Sequence, residues 1–328
     1  MKAIIYEGNG SPDILQLVDL DKPDPADNEV LIKVCAAAVN PLDWRMMRGG
    51  PFVLRALDRG PKMKHPGVDV AGVVEAVGKN VTRFKPGDAV FGCGKGSFAE
   101  YACAEESKLA LKPENVSFED AASSPIAALT ALQALRDNGK IQPGQKVLIN
   151  GAAGGVGTFA VQIAKSFGAE VAAVCSSRNL EFVRSLGADH VIDYASENFT
   201  ETPERYDILL DNMGNHSLSA YRRILKPNGR LVIVGGPKNV WLILARLVIA
   251  PVISLFVSQK MGMMLAKVKT DDLAIIGEMM RSGKVTAVID RRYSLSDIPR
   301  AMAYAEEGHT RGKVVITVAD AAGAIAST

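Results

Sequence analysis

The sequence predicts an α/β protein in which a doubly wound parallel sheet with helices on both faces is joined to a curled, strand-rich β part. Three observations carry that reading. From residue 146 to about 290, short apolar runs alternate with helical patterns, as parallel strands and their crossover helices do. The first of these units, residues 146–167 (KVLINGAAGGVGTFAVQIAKSF), has a glycine cluster between its strand and its helix. Residues 1–112 read instead as successive strands with short turns.

The elements follow in order. Residues 3–6, 14–18 and 30–34 read as strands, with the proline-and-acid turn KPDPADNE before the third. Asn40-Pro41 marks a turn, and residues 42–48 have room for one or two helical turns before Gly49-Gly50. A loop with proline and arginine leads to His65. Residues 68–77 read as a strand, 84–94 as a turn and strand, and 97–103 as another strand. The texture changes near Pro113. Ser117 opens a capping-box-like SFED ahead of one alanine-rich helix, 121–135, which carries Pro125 and Thr130. Strands are then expected at 146–150, 170–175, 190–193, 206–211 and 230–235, with helices at 156–167, 179–186 and 217–225. Residues 313–318 form a last strand, and 319–328 a loose tail.

Residues 240–257 (VWLILARLVIAPVISLFV) are long enough to span a membrane, but Arg246 and Pro251 interrupt them inside the alternating region. No span is expected. A broken helix that covers a lipophilic pocket, a subunit contact and a buried structural helix all fit, and peripheral membrane association stays open. Residues 260–268 suit an edge strand through which two copies can pair.

Composition narrows the partners. A chain of 328 residues is long enough for two domains. With 38 basic and 36 acidic side chains, the net charge of +2 gives no argument for nucleic acid. The apolar run at the N-terminus is too short for a signal peptide and is interrupted by Glu7. Cys35, Cys93, Cys103 and Cys175 are scattered, so a reducing, cytoplasmic setting is expected.

The chemistry begins at the glycine cluster. A glycine turn alone serves many ordinary loops. With a buried strand before it and a helix after it, it makes a phosphate cradle, in which bare backbone and helix-start N–H groups face the anion. The run Ala152, Ala153, Gly154, Gly155, Val156, Gly157 is a dinucleotide fingerprint, A-x-G-x-x-G, with alanine in the first place. The second strand ends in VCSSRN at 174–179, with no acid before Glu181. A carboxylate there would repel a 2′-phosphate, whereas Ser176 and Arg178 can bind one. NADPH is therefore the expected cofactor.

Several segments taken together resemble one family: VNPLDW at 39–44, PGVDVAGVV at 66–74, FKPGDAVFG at 84–92, AALTALQAL at 127–135, LGADHVIDY at 186–194 and GKVVITV at 312–318, besides the glycine turn. The chain is similar to medium-chain dehydrogenases/reductases, above all the zinc-independent quinone oxidoreductase branch of zeta-crystallin type. The resemblance implies a GroES-like catalytic domain with a partly open β-barrel, residues 1–122 completed by 292–328. A Rossmann domain, 123–291, is inserted between these parts, with the cofactor in the cleft. It places Thr130 near the nicotinamide, residues 152–157 on the pyrophosphate, Tyr194 at the adenosine end, and 212–214 and 234–236, with Gly235, along the groove. A homodimer is the family expectation.

The departures are as informative. Zinc-dependent relatives have a ligand cysteine at or near the position of Asn40 and Gly-His-Glu where this chain has Gly67-Val68-Asp69; a four-cysteine lobe is also missing. No metal is expected. Hydride transfer to a conjugated acceptor, which spreads charge onto oxygen, then needs only hydrogen-bond donors. Asn40 is the catalytic candidate. Asp43 and Trp44 are candidates for substrate contact, Asp43 equally for a structural cap; Trp44 can stack on a flat substrate but cannot act as a phenolic acid. The function expected is NADPH-dependent reduction of quinones or α,β-unsaturated carbonyls, small and lipophilic. A zinc-independent reductase of simple ketones or aldehydes, and a cofactor-binding protein with a structural or partner-binding role, remain alternatives.

Overall fold

Ala3–Tyr6, four buried residues in a row, make the centre of strand β1 (Lys2–Glu7), which pairs antiparallel with β2 (Gln16–Asp19). The computed structural model describes residues 1–49, 63–236 and 240–318. The expected loop at 50–62 and the tail from residue 319 lie outside them. The strand expected at 14–18 starts later, because Pro12–Ile14 coil into a 3₁₀ turn. The chain then forms β3 (Glu29–Ala38), helix α1 (Pro41–Met47), β4 (Met63–Lys64), β5 (Asp69–Val77), β6 (Ala89–Cys93), β7 (Tyr101–Glu105) and β8 (Leu109–Leu111). The strand expected at 97–103 is thus displaced to β7.

β3 organises this unit. It pairs with β5 from Val30 to Ala38, with β7 along Glu29–Lys33, and over Ala36–Ala38 with a strand from the far C-terminus. Three partners on one strand make the sheet curl. Its inner side chains, among them Val30, Ile32, Val34, Val70, Val74 and Val90, form one apolar cluster.

The expected single helix at 121–135 is two. α2 (Phe118–Ser123) is capped by Ser117, whose Oγ accepts the Asp120 N–H, and α3 (Pro125–Gln133) starts afresh. Pro125 has no N–H to continue α2 and suits the first position of α3. A π-helical turn, Ala134–Asn138, follows.

The second unit holds β9 (Lys146–Asn150), α4 (Gly155–Ser166), β10 (Glu170–Cys175), α5 (Leu180–Ser185), β11 (His190–Asp193), β12 (Tyr206–Asp211), α6 (Leu218–Arg223), β13 (Leu225–Ile233), α7 (Val240–Phe256) and β14 (Lys260–Met263). Its six strands run in the order β11-β10-β9-β12-β13-β14, all parallel. The first strand lies mid-sheet and the chain winds outward to each side in turn, so the order reverses between β10 and β12. α7 is one helix rather than a broken one, although Pro251 costs it a backbone hydrogen bond. No helix among the described residues is long and apolar enough to cross a membrane. β14 ends the sheet, as an edge strand should.

The chain closes with α8 (Thr270–Arg281), β15 (Ile289–Ser294), α9 (Ile298–Glu307) and β16 (Lys313–Thr317), the strand that pairs with β3. Contacts divide the molecule into Met1–Ile126 with Val268–Gly283 and Ala287–Thr328, and Ala127–Lys267 with Lys284–Thr286. α8 falls within the span 123–291 expected for the nucleotide-binding part, yet it packs with the first unit. Thr270 Oγ1 donates to Ser107 O at 2.8 Å, and a methyl built at Gly277 would touch Phe91 and Pro113.

Candidate active site

β9 and α4 shape the glycine turn. Gly151 has φ +80°, a left-handed conformation that favours glycine. A Cβ on Gly157 would lie 2.2 Å from Gly151 O and 2.7 Å from Ala152 Cα, so helix and turn approach too closely for a side chain. Gly154 is the extended N-cap, and the helix start leaves the N–H groups of Gly155, Val156 and Gly157 without intrahelical acceptors. Ala152 is fully buried, its N–H donating to Val174 O at 3.0 Å, and Ala153 is nearly so. These two support the cradle from behind, while Gly154, Gly155 and Val156 form its accessible rim. A bare backbone surface at a helix N-terminus, outside the carboxyl end of a parallel strand, fits a dinucleotide pyrophosphate.

The end of β12 is drawn to the same place. Asp211 Oδ1 accepts Asn150 Nδ2 at 2.9 Å and the N–H groups of Met213 and Gly214. Asn212 Nδ2 donates to Asn150 O at 3.0 Å. A Cβ at Gly235 would lie 1.8 Å from Asn212 O. The segments 212–214 and 234–236 therefore meet beside the turn. Asp211 was not singled out from sequence; it looks like the end of any strand until its partners 61 residues away are in place.

At the end of β10, Ser176 is half-buried and accepts Asn179 Nδ2 at 3.1 Å, and Arg178 is exposed. Tyr194 is also exposed, and its N–H donates to Cys175 O at 3.2 Å, which sets it next to Ser176. Parallel pairing aligns Cys175 with Asp193. The Asp193 carboxylate accepts Ser177 Oγ at 2.6 Å and the Ala195 N–H, and these bonds, the hydroxyl first, hold it below the usual carboxylate range. The reading of residues 174–179 found no acid nearby; the sheet supplies one from the next strand. Thr130 is buried on α3.

In the first unit, a buried polar cluster gathers at the ends of β3, β5 and β16. Lys313 Nζ donates to Asn40 Oδ1 at 2.6 Å, Val39 O at 3.0 Å and Asp69 Oδ2 at 3.2 Å. Asn40 Nδ2 donates to Asp69 Oδ2 at 2.8 Å and more weakly to Ala38 O at 3.4 Å. Asp69 Oδ1 accepts the Ile126 N–H at 3.0 Å. Asn40 is 3% exposed, Lys313 4% and Asp69 0%. Asn40 was expected to donate to a substrate oxygen. Here its amide hydrogens already face acceptors and its oxygen takes an ammonium, so it braces Lys313 against Asp69.

Asp43 does the work of a cap. Its Oδ2 accepts the Asn40 N–H at 2.7 Å at the start of α1. Burial pushes its carboxyl up to about 7, against the pull of the Asn40 and Gly67 N–H groups and of Lys313. Trp44, one residue on, is half-buried against the cluster of Ile4, Tyr6, Leu15 and Met47, with the Arg45 guanidinium 5.2 Å over its ring.

Among the described residues, no group of three or more His, Cys, Asp or Glu side chains is placed to hold a metal. His65 is exposed, and Cys35 and Cys93 are buried with their thiols pushed up by that burial. This donor set does not fit a zinc ion.

Residues 26–114 match the alcohol dehydrogenase GroES-like domain, and residues 186–316 match the zinc-binding dehydrogenase family. Over 96% of the chain, the sequence is 39% identical to a 2-methylene-furan-3-one reductase of Solanum lycopersicum, covering 79% of that protein. It is 37% identical to an NADPH-dependent alkenal/one oxidoreductase of Arabidopsis thaliana, again over 96% of this chain and 79% of the other. The fold superposes on the quinone oxidoreductase of Coxiella burnetii with a TM-score of 0.87 at 34% identity, covering 97% of this chain and 99% of that one. Near-complete coverage at such identity, on a fold with this glycine turn and this curled β unit, shows that the chain belongs to the medium-chain dehydrogenases/reductases, in their quinone oxidoreductase branch.

Proposed function

We propose that the protein reduces quinones and α,β-unsaturated carbonyls with NADPH. The close approaches at Gly157 and Gly235, where no Cβ fits, are the observation that carries the cofactor. Gly154, Gly155 and Val156 would hold the pyrophosphate, Ser176 and Arg178 the 2′-phosphate, with Tyr194 at the adenosine end and Thr130 toward the nicotinamide. Held there by these residues, NADPH would supply hydride chemistry for a quinone or the β-carbon of an enone. The named activities of the tomato, Arabidopsis and Coxiella proteins support the same substrate class.

The chain's own residues orient and shield. The Asp43 cap and the Lys313–Asn40–Asp69 brace fix the start of α1, which carries Trp44. The indole stacks on a flat, lipophilic acceptor. Charge on the substrate oxygen would be met by hydrogen-bond donors. The proton that completes the reduction would come from water or a ribose hydroxyl.

The free edge of β14 supports a homodimer paired edge to edge. Four unpaired thiols support a reducing compartment such as the cytoplasm. The test of the activity is NADPH oxidation against quinones, enals and simple ketones. Turnover is expected with the first two. Turnover confined to simple ketones, or cofactor binding without turnover on any, overturns the proposal.

A further inference from the structure

Over residues 248–256, the outward face of α7 is unusually apolar for a surface helix. Val248, Ile249, Val252, Leu255 and Phe256 are 64%, 47%, 47%, 80% and 83% exposed. At the helical repeat these positions fall within about 120° of the circumference, so they form one stripe. The opposite face holds the helix down. Ala250 is fully buried, Ile253 and Val257 pack on the cluster under β12 and β13, and the Ser254 Oγ accepts the Met261 N–H at 2.7 Å. The stripe is thus presented on a firmly seated helix. Contiguous exposed apolar surface of this kind marks an interaction site.

The charges around it say what kind. From residue 212 to residue 267 there are eight basic residues and no acidic one. Several stand at the C-terminal end of α7, beside Leu255 and Phe256. Lys260 Nζ donates to Ser254 O at 3.4 Å, and Gln259 ties Arg222 to the same end through bonds of 3.2 Å. Arg223 and Lys260 form no ion pair among the described residues, and both are exposed.

We propose that this face docks the protein on an anionic lipid surface, with Leu255 and Phe256 entering the headgroup boundary and the basic rim resting on lipid charge. A second copy set on the same face would bring the cations Arg223 and Lys260 of both copies together, whereas an anionic bilayer supplies the missing charge. A bilayer also accepts a broad apolar stripe without a matching groove. The helix lies on the membrane and does not cross it.

The test is sedimentation of the full-length protein with vesicles of phosphatidylcholine alone or mixed with phosphatidylglycerol. Binding is expected only to the mixed vesicles and is released by high salt. Leu255→Asp with Phe256→Asp abolishes it, and Arg223→Glu with Lys260→Glu weakens it at least about tenfold. Both pairs change exposed side chains, so circular dichroism and thermal unfolding stay as in the parent. Failure to bind any vesicle overturns the proposal, as does equal binding to neutral ones or binding indifferent to both pairs. If the parent ignores vesicles and the Asp pair halves its mass by light scattering, a second copy covers the face and the proposal falls.

Discussion

Lys313 brings a positive charge to a place where only 4% of its side chain meets solvent, and Asp69 beside it has 0%. Such a pair is strongly destabilising to break, because the partner left behind is an uncompensated buried charge. Lys313→Met should cost about 3–5 kcal/mol of unfolding free energy. Adding Asp69→Asn to it should recover a large part, since the orphaned charge is then gone; denaturant unfolding of both variants checks this. A double variant no more stable than the single one would show that the charge pair is not the source of the loss. Sequence reading reached Lys313 only as part of a strand-forming run. Its partners Asn40 and Asp69 lie 273 and 244 positions away, so no local spacing connects them. Asn40 was singled out as a hydrogen-bond donor at the place where zinc-dependent relatives carry a ligand cysteine, but its role depends on which way its amide points, and only the packed cluster decides that. Asp193 escaped notice for the same reason, being set beside Ser177 by strand pairing rather than by sequence.

Elements were more legible than contacts where one periodicity dominates. β9, β10 and β12 fall on the apolar runs that predict them, because strands buried on both faces need continuous apolar side chains; β11, at the sheet edge, is only partly buried. The strand–glycine–helix unit was legible for a stronger reason: sterics at a few positions dictate it. Gly157→Val should therefore disable the cradle while the sheet survives. Its Cβ alone would overlap Gly151 O and Ala152, so the turn must move away from the helix start. Cofactor affinity is expected to fall by at least about a hundredfold, as for loss of a set of charge-assisted hydrogen bonds. Titration by nicotinamide fluorescence reads the loss, and circular dichroism reads the retained fold; unchanged affinity would place the pyrophosphate elsewhere. Breaks were harder to foresee. Pro125 splits a predicted helix, where the chain can restart, while Pro251 sits inside α7, where packing of Ala250, Ile253 and Val257 outweighs one missing backbone bond.

At the scale of the whole molecule, the choice of dinucleotide is a matter of how charge is placed rather than how much there is. A net charge of +2 attracts no polyanion by itself. The proposed preference for NADPH would come from Ser176 and Arg178, with Asp193 working against them as a carboxylate close to the expected 2′-phosphate. Ligands that bind only the folded state stabilise it by mass action, about 2.7 kcal/mol at a hundred times the dissociation constant. Thermal unfolding of the intact chain therefore reports the preference without any assumption about substrate. At equal concentration NADPH should raise the unfolding temperature more than NADH. Arg178→Glu should lower the NADPH shift to the NADH level or below, leaving the NADH shift nearly intact, because only the 2′-phosphate loses its partner. Asp193→Asn should move the other way and widen the gap by removing a repulsive charge. Equal shifts for both cofactors in the parent chain would return the Ser176–Arg178 turn to a role in the loop alone, and a larger NADH shift would make Asp193 the residue that sets the choice, as the acid that binds a free ribose.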